Sequence, residues 1–242
     1  MTNQQIRISA KHLGILALPD YCPRCFWIQL KSQFKLPWQI FPGIFSSIDS
    51  YTKKITWSYY EKYKVLPSWF QKLGEFERPV KIPPRKQFSI LDKDTNILLT
   101  GIPDDIFQRV NGSYFIIDYK TAKFTENQDA LLPVYIVQLN GYALIAEKCG
   151  LRPVGGIGLC YYEPQTNVNI SSLDSVLLEQ GFHMPFTAHM MPLKLDPVKI
   201  VLPLLAKVRE LGDREQAPDS RQGCEECRRL EEVVGMVGEK KK

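Results

Sequence analysis

The sequence predicts an α/β domain: a central mixed β-sheet flanked by helices, with the N- and C-terminal segments joined by a cysteine metal site. Three observations predict it. Short apolar β-forming runs separated by polar turns concentrate between residues 87 and 119. A segment of helical length follows at 127–150, with further strand signals after it, an order that suits a mixed sheet with helices on its faces. A C-x-x-C pair stands near each end of the chain, at Cys22/Cys25 and Cys224/Cys227.

The elements follow in chain order. RISAKHLGILALPDYCPRCFWIQLK reads as a short helix, a Pro-marked turn and a second helix starting near Pro23, where proline is tolerated because a first-turn N–H has no intrahelical partner. A Pro- and aromatic-rich loop, 36–45, leads to a helix over 48–63, and GEFERPVKIPPRK is an extended, Pro-interrupted connection. Runs 87–91 and 97–100 flank DKDTN as a hairpin. Runs 106–110 and 114–119 flank Asn-Gly, the strongest short hairpin signal. Residues 127–150 form a helix with Pro133 near its start and Cys149-Gly150 as its stop. Strands are expected at 156–162 and 182–190, then a helix over 196–211, a polar loop, CEECRR and a Lys tail.

A length of 242 residues suits one domain. Its expected parts are a basic helical section (1–78), an α/β core (79–195), and a C-terminal helix with a cysteine knuckle (196–242). The 44% hydrophobic share suffices for a sizeable core. No apolar run reaches eighteen residues, so no membrane span and no membrane partner are expected. The opening residues are too polar for a signal peptide, which predicts a cytoplasmic protein whose six cysteines are not presumptive disulfides. Residues 1–90 hold 14 Lys+Arg against 5 Asp+Glu, whereas 91–242 hold 17 against 21. A basic half beside an acidic half suits acids that hold cations next to a surface that meets a polyanion, although a solvated basic helix face would give the same balance.

YFIIDYK ends a buried strand with an acid and a base. Strand side chains alternate, so Asp118 and Lys120 share a face. The Asn-Gly hairpin brings GIPDDIF back beside them. A two-residue turn sets Asp105 opposite Asp118, and a three-residue loop with Gly112 left-handed sets Asp104 there. Two carboxylates and a lysine make a site for a hard dication that polarises a phosphodiester. Taken alone, D-x-K is also what an internal salt bridge without chemistry looks like.

G-x-x-D, a strand ending D-Y-K-T and a helix bearing Q-L-x-x-Y (Gly101, Asp104, Asp118, Tyr119, Lys120, Thr121, Gln138, Tyr142) together resemble the RecB-like branch of the PD-(D/E)XK nuclease superfamily. The resemblance extends to CRISPR-associated RecB-like exonucleases and AddB-type nuclease domains through SAKHLGILALPDYCPRCFWIQL. It implies a restriction-endonuclease-like core and Mg²⁺ or Mn²⁺ bound by Asp104 and Asp118, with Asp105 the alternative to Asp104 and the Tyr119 carbonyl assisting. It also implies Lys120 as the catalytic lysine, with Gln138 and Tyr142 lining the site. Helix-to-sheet packing is the alternative role of those last two.

Four thiolates, Cys22, Cys25, Cys224 and Cys227, complete a set for tetrahedral zinc or a [4Fe–4S] cluster. The resemblance favours iron–sulfur, although those relatives arrange one N-terminal and three C-terminal cysteines and this chain has two and two. Cys149 and Cys160 read as buried free thiols. The chain also departs from the branch's upstream metal-binding His. PGIFSSIDSYTKK offers Asp49 instead, His12 should face solvent or cap a turn, and His183 and His189 should be strand residues.

The expected function is a metal-dependent deoxyribonuclease, an exonuclease on single-stranded or end-containing DNA in repair, recombination or defence. A helicase or other repair or defence protein would act in trans, and Lys53, Lys54, Lys62 and Lys64 would form the DNA surface. The alternative is a catalytically weak or inactive DNA-binding adaptor of the same fold.

Overall fold

A computed structural model describes residues 4–35, 42–167 and 169–238. Most of the expected loop at 36–45 and the terminal lysines lie outside them.

The chain opens with β1 (Ile6–Ser9) and α1 (Ala10–Gly14), capped by the Ser9 hydroxyl accepting the His12 N–H. Of the strand residues, Arg7, Ile8 and Ser9 fall in the segment expected to be helical. Ile6-Arg7-Ile8 alternates, and β1 gains its partner only through parallel pairing with a distant strand, β4 (Ile97–Thr100). After α2 (Pro23–Lys31), helix α3 runs from Gly43 to Tyr63, starting earlier than its apolar spacing suggests. The proline-interrupted connection contains a strand, β2 (Phe76–Val80), which lies at the sheet edge, where Pro79 costs no ladder bond a neighbour needs.

The hairpin of β3 (Ser89–Asp92) with β4 forms as expected. It joins β1 in a separate three-stranded sheet, order β1-β4-β3, instead of the central one. The central sheet has five strands, ordered β10-β7-β6-β5-β2. Here β5 is Asp105–Arg109, β6 is Tyr114–Lys120, β7 is Val154–Pro164 and β10 is Phe186–Leu193. β6 and β7 are parallel and the other neighbours antiparallel, so the sheet is mixed, as predicted. The expected strand at 182–190 is divided: β8 (Leu177–Leu178) and β9 (Gly181–Phe182) form a small exposed hairpin before β10 begins, leaving His183 outside and His189 inside a strand.

Helix α4 (Leu132–Lys148) follows β6, and α5 (Pro197–Gly212) is capped by Asp196, whose side chain accepts the Lys199 N–H. A further helix, α6 (Glu225–Gly238), contains Cys227 and starts directly after Cys224.

One face of the central sheet (Ile106, Ile116, Ile157, Leu159, Tyr161) packs with Leu13, Val137, Ile145, Val201 and Leu205 of α1, α4 and α5. The other face (Phe107, Phe115, Ile117, Tyr119, Tyr162) packs on Phe70 and Leu73. Contact between α1 and α4 is tight enough to need glycine. A Cβ on Gly141 would lie 2.7 Å from that of Ala10, closer than side chains approach. That contact sets α1 beside the carboxyl end of β6.

Candidate active site and cysteine centre

Gly112 has φ 81°, and the Gly112 N–H bonds the Arg109 carbonyl, so the hairpin closes on a three-residue loop. The ladder then pairs Asp105 with Ile117 and brings Asp104 level with Asp118. Of the two registers open to the sequence, this is the one that delivers Asp104.

Asp104 and Asp105 leave the sheet on opposite faces, as successive strand residues must. The Asp105 carboxylate is buried on the α3 side, where Trp57 Nε1 donates to Oδ1 at 2.7 Å and the Tyr119 hydroxyl donates to Oδ2 at 2.6 Å. Burial raises its pKa to about 6, against those two bonds. It therefore does not join Asp118.

Asp104 does. Its Oδ2 accepts the Tyr119 backbone N–H at 2.7 Å. Burial and the facing Asp118 charge push its pKa up to about 7, which the Lys53 ammonium and the Tyr119 N–H only partly offset. Asp118 is 5% exposed, and its Oδ1 accepts a 3.0 Å bond from Gln138 Nε2. The same Gln138 amide donates to the Tyr142 hydroxyl at 2.8 Å. Gly101, the glycine of G-x-x-D, matters here because a Cβ would collide with the Tyr142 ring.

Lys120 shares the face of Asp118, as strand alternation requires. Its ammonium lies 2.5 Å from Asp118 Oδ2 and 4.0 Å from the centre of the Tyr135 ring. A second cation is present that the sequence reading had assigned elsewhere. Lys53 is not a surface charge: its ammonium bridges Asp49 Oδ2 at 2.8 Å and Asp104 Oδ1 at 2.7 Å. Burial works against its charge, but the two carboxylates outweigh it and raise its pKa. The i,i+4 spacing of Asp49 and Lys53 was a readable helix signal, whereas the contact with Asp104 is tertiary.

Lys120 and Tyr119, which touch the acid pair, line a cleft of about 630 Å³ together with Lys11, His12, Asp49, Thr121 and Tyr135. The Lys53 ammonium rests on Asp104 and that of Lys120 on Asp118. His12 faces neither open solvent nor a turn; it is stacked on Phe34 at 3.9 Å between ring centres, and burial, then Lys11, lowers its pKa. His189 stacks on Phe124, with Nε2 3.2 Å from Glu163.

The donors fit a small oxygen-seeking dication. The buried Asp118 faces the half-buried Asp104, and Asp118 Oδ2 accepts no hydrogen bond of good geometry despite its closeness to Lys120. Gln138 Oε1 beside it is also without a partner. Among the described residues no third carboxylate or imidazole completes a group with the two acids.

Where α2 and α6 begin, the four cysteines meet: Cys22, Cys25, Cys224 and Cys227 bring their sulfurs within 4.8 Å of one another. Measured pairs are 3.3 Å (Cys25–Cys227), 3.5 Å (Cys25–Cys224) and 3.6 Å (Cys22–Cys227). Burial would raise the Cys22 thiol, but backbone N–H groups of Cys25 and Arg221 outweigh it and lower its pKa to about 6. Cys227 is pushed up to about 11, burial being the main cause. Burial also pushes the Cys25 thiol up, and four sulfurs this close together form a donor set for a metal ion. Of the other two cysteines, Cys160 is buried as expected and Cys149 only half-buried.

A family model described as the PD-(D/E)XK nuclease superfamily matches residues 43–231. No curated protein matches the chain. One solved structure, "Crystal structure of SSO0001", is similar at a TM-score of 0.39 and 14% identity, over 90% of this chain and 82% of that one. A likeness so distant supports no inference. None of the described helices is long and apolar enough to cross a membrane.

Proposed function

Since the chain belongs to the PD-(D/E)XK nuclease superfamily, we propose that it is a RecB-like, metal-dependent deoxyribonuclease acting as one domain on single-stranded or end-containing DNA. The observation that supports this most is the meeting of Asp104 and Asp118 across the β5–β6 hairpin, with the Lys120 ammonium against Asp118.

Asp104 and Asp118 would hold Mg²⁺ or Mn²⁺ with the Tyr119 carbonyl. A bound dication of this kind supplies Lewis-acid polarisation of the scissile phosphate. The protein's own part is positional. Gln138 fixes Asp118, and the Tyr142 hydroxyl fixes the Gln138 amide. Lys120, anchored by Asp118 and seated over Tyr135, is placed to meet negative charge developing at phosphorus.

Labelled single-stranded DNA incubated with Mn²⁺ should be cut by the protein, and Lys120→Ala should slow cutting by about 10²–10³-fold. No cleavage by either protein would overturn the enzyme reading. A non-catalytic DNA-binding module is the second reading, and one feature favours it: two ammonium groups already rest on the acids.

The DNA surface we assign to α3 and its C-terminal end, where Lys54, Lys62 and Lys64 are exposed. Replacing all three with alanine should weaken single-strand binding. It should also flatten the slope of log affinity against log salt by about 2, at roughly 0.7 per phosphate contact. Titrations at several salt concentrations check both, and an unchanged slope moves the surface elsewhere.

At the cysteines the sulfur spacing favours one ion over a cluster. Four sulfurs at about 2.3 Å from one tetrahedral zinc lie about 3.8 Å apart, near the 3.3–3.6 Å of the three pairs named above. A four-iron cluster places its own iron behind each sulfur and spreads the set further.

A further inference from the structure

Around the paired acids, Lys53 completes a row of charges: Asp49, Lys53, Asp104, and then Asp118 with Lys120. With every group ionised, three carboxylates and two ammonium groups leave a net charge of −1. One dication and one phosphodiester bring that to zero, and a second dication would leave the cluster at +2 in a half-buried place where unbalanced charge is costly. Lys53 is held from two sides, so its position is not that of a freely rotating surface lysine.

We propose that Lys53 stands in for a second cation, limiting the acid pair to one dication and setting how tightly that ion is held. This rests on the nuclease reading, because it concerns the same acids. Lys53 acts as a positioning residue. Its ammonium occupies Asp104 Oδ1 and is tethered to α3 through Asp49. It leaves Asp104 Oδ2, which also takes the Tyr119 N–H, on the side of the strand backbone. The arrangement also accounts for an aspartate where a direct ligand would otherwise be sought: Asp49 binds the lysine.

Calorimetric and spin-resonance titration with Mn²⁺ of the protein, its cysteine centre loaded, tests this apart from activity. Wild type should bind one Mn²⁺ that Asp118→Asn abolishes. Lys53→Met, which takes the cluster to −2, should bind it about tenfold tighter or more, through the loss of one nearby positive charge. Asp49→Asn, which takes the cluster to zero, should bind it more weakly, and Lys53→Arg should stay near wild type. Thermal melts confirm that each variant is folded.

Opposite shifts from two neighbours on one helix turn are not what a merely structural role produces. Two Mn²⁺ ions abolished by Asp118→Asn in wild type would overturn the proposal, as would a Lys53→Met affinity equal to or below wild type. If binding follows the charges but no DNA is cut, the cleavage reading fails and the charge inference stands. If wild type binds no such ion, both fail.

Discussion

Asp118→Asn should abolish the proposed cleavage, lowering the rate by at least about 10³-fold, the several kcal/mol that loss of a metal ligand would represent. Asp118 is the one group that both lysine and glutamine serve: its Oδ1 takes the Gln138 amide and its Oδ2 lies against Lys120. An asparagine can satisfy Gln138 with its oxygen. It then turns an NH₂ towards Lys120, donor facing donor, and the ammonium loses its counter-charge. The side chain is nearly isosteric and the surrounding Ile116, Ile117 and Leu159 are unchanged, so the fold should persist. Cleavage assays beside circular dichroism separate the two effects. Activity within about tenfold of wild type would remove Asp118 from the chemistry.

The largest stability effect belongs to the cysteine centre. Cys227→Ser should lower the melting temperature by about 10 °C or more, and a strong chelator should do the same to wild type under reducing conditions. Cys22 and Cys227 are 205 positions apart in sequence. Cross-linking a loop of that length removes about 5 kcal/mol of chain entropy from the unfolded state in the simplest treatment, and each kcal/mol moves the midpoint by about 2–4 °C at this size. Metal analysis should give one ion at this centre. An absorption spectrum of anaerobic protein tells the candidates apart, because an iron–sulfur centre absorbs broadly near about 400 nm and zinc does not. A Cys227→Ser protein that melts with wild type shows that the four sulfurs carry no metal clasp.

Much of this was legible in the residues, and the reasons are local. Asn-Gly specified a hairpin between 106–110 and 114–119, and strand alternation put Asp118 and Lys120 on one face. Both are short-range effects. What the sequence left open was the loop length, since Asn111-Gly112 serves two-residue and three-residue turns alike. Gly112 at φ 81° decides it. Besides α6, the elements missed were those that exist through distant partners. β1 is four residues long and is a strand because β4 lies beside it. β2 contains a proline that would argue against a central strand and is harmless at an edge. Lys53 was read as surface because a lysine on a helix usually is, and only the fold reveals that α3 crosses the acid pair. G-x-x-D was a usable signal whose reason is now physical, since the glycine makes room for Tyr142, which steadies Gln138.

Asp104 and Asp105 are chain neighbours with opposite surroundings, one level with Asp118 and held by Lys53, the other bound by Trp57 and Tyr119. Sliding β5 by a single residue would exchange them. An acid would still face Asp118, but a tryptophan and a tyrosine would lose their acceptor beneath the sheet. Insertions or deletions at Val110–Gly112 should therefore be tolerated far less than substitutions there, so random mutagenesis of this turn should return changed letters and an unchanged length.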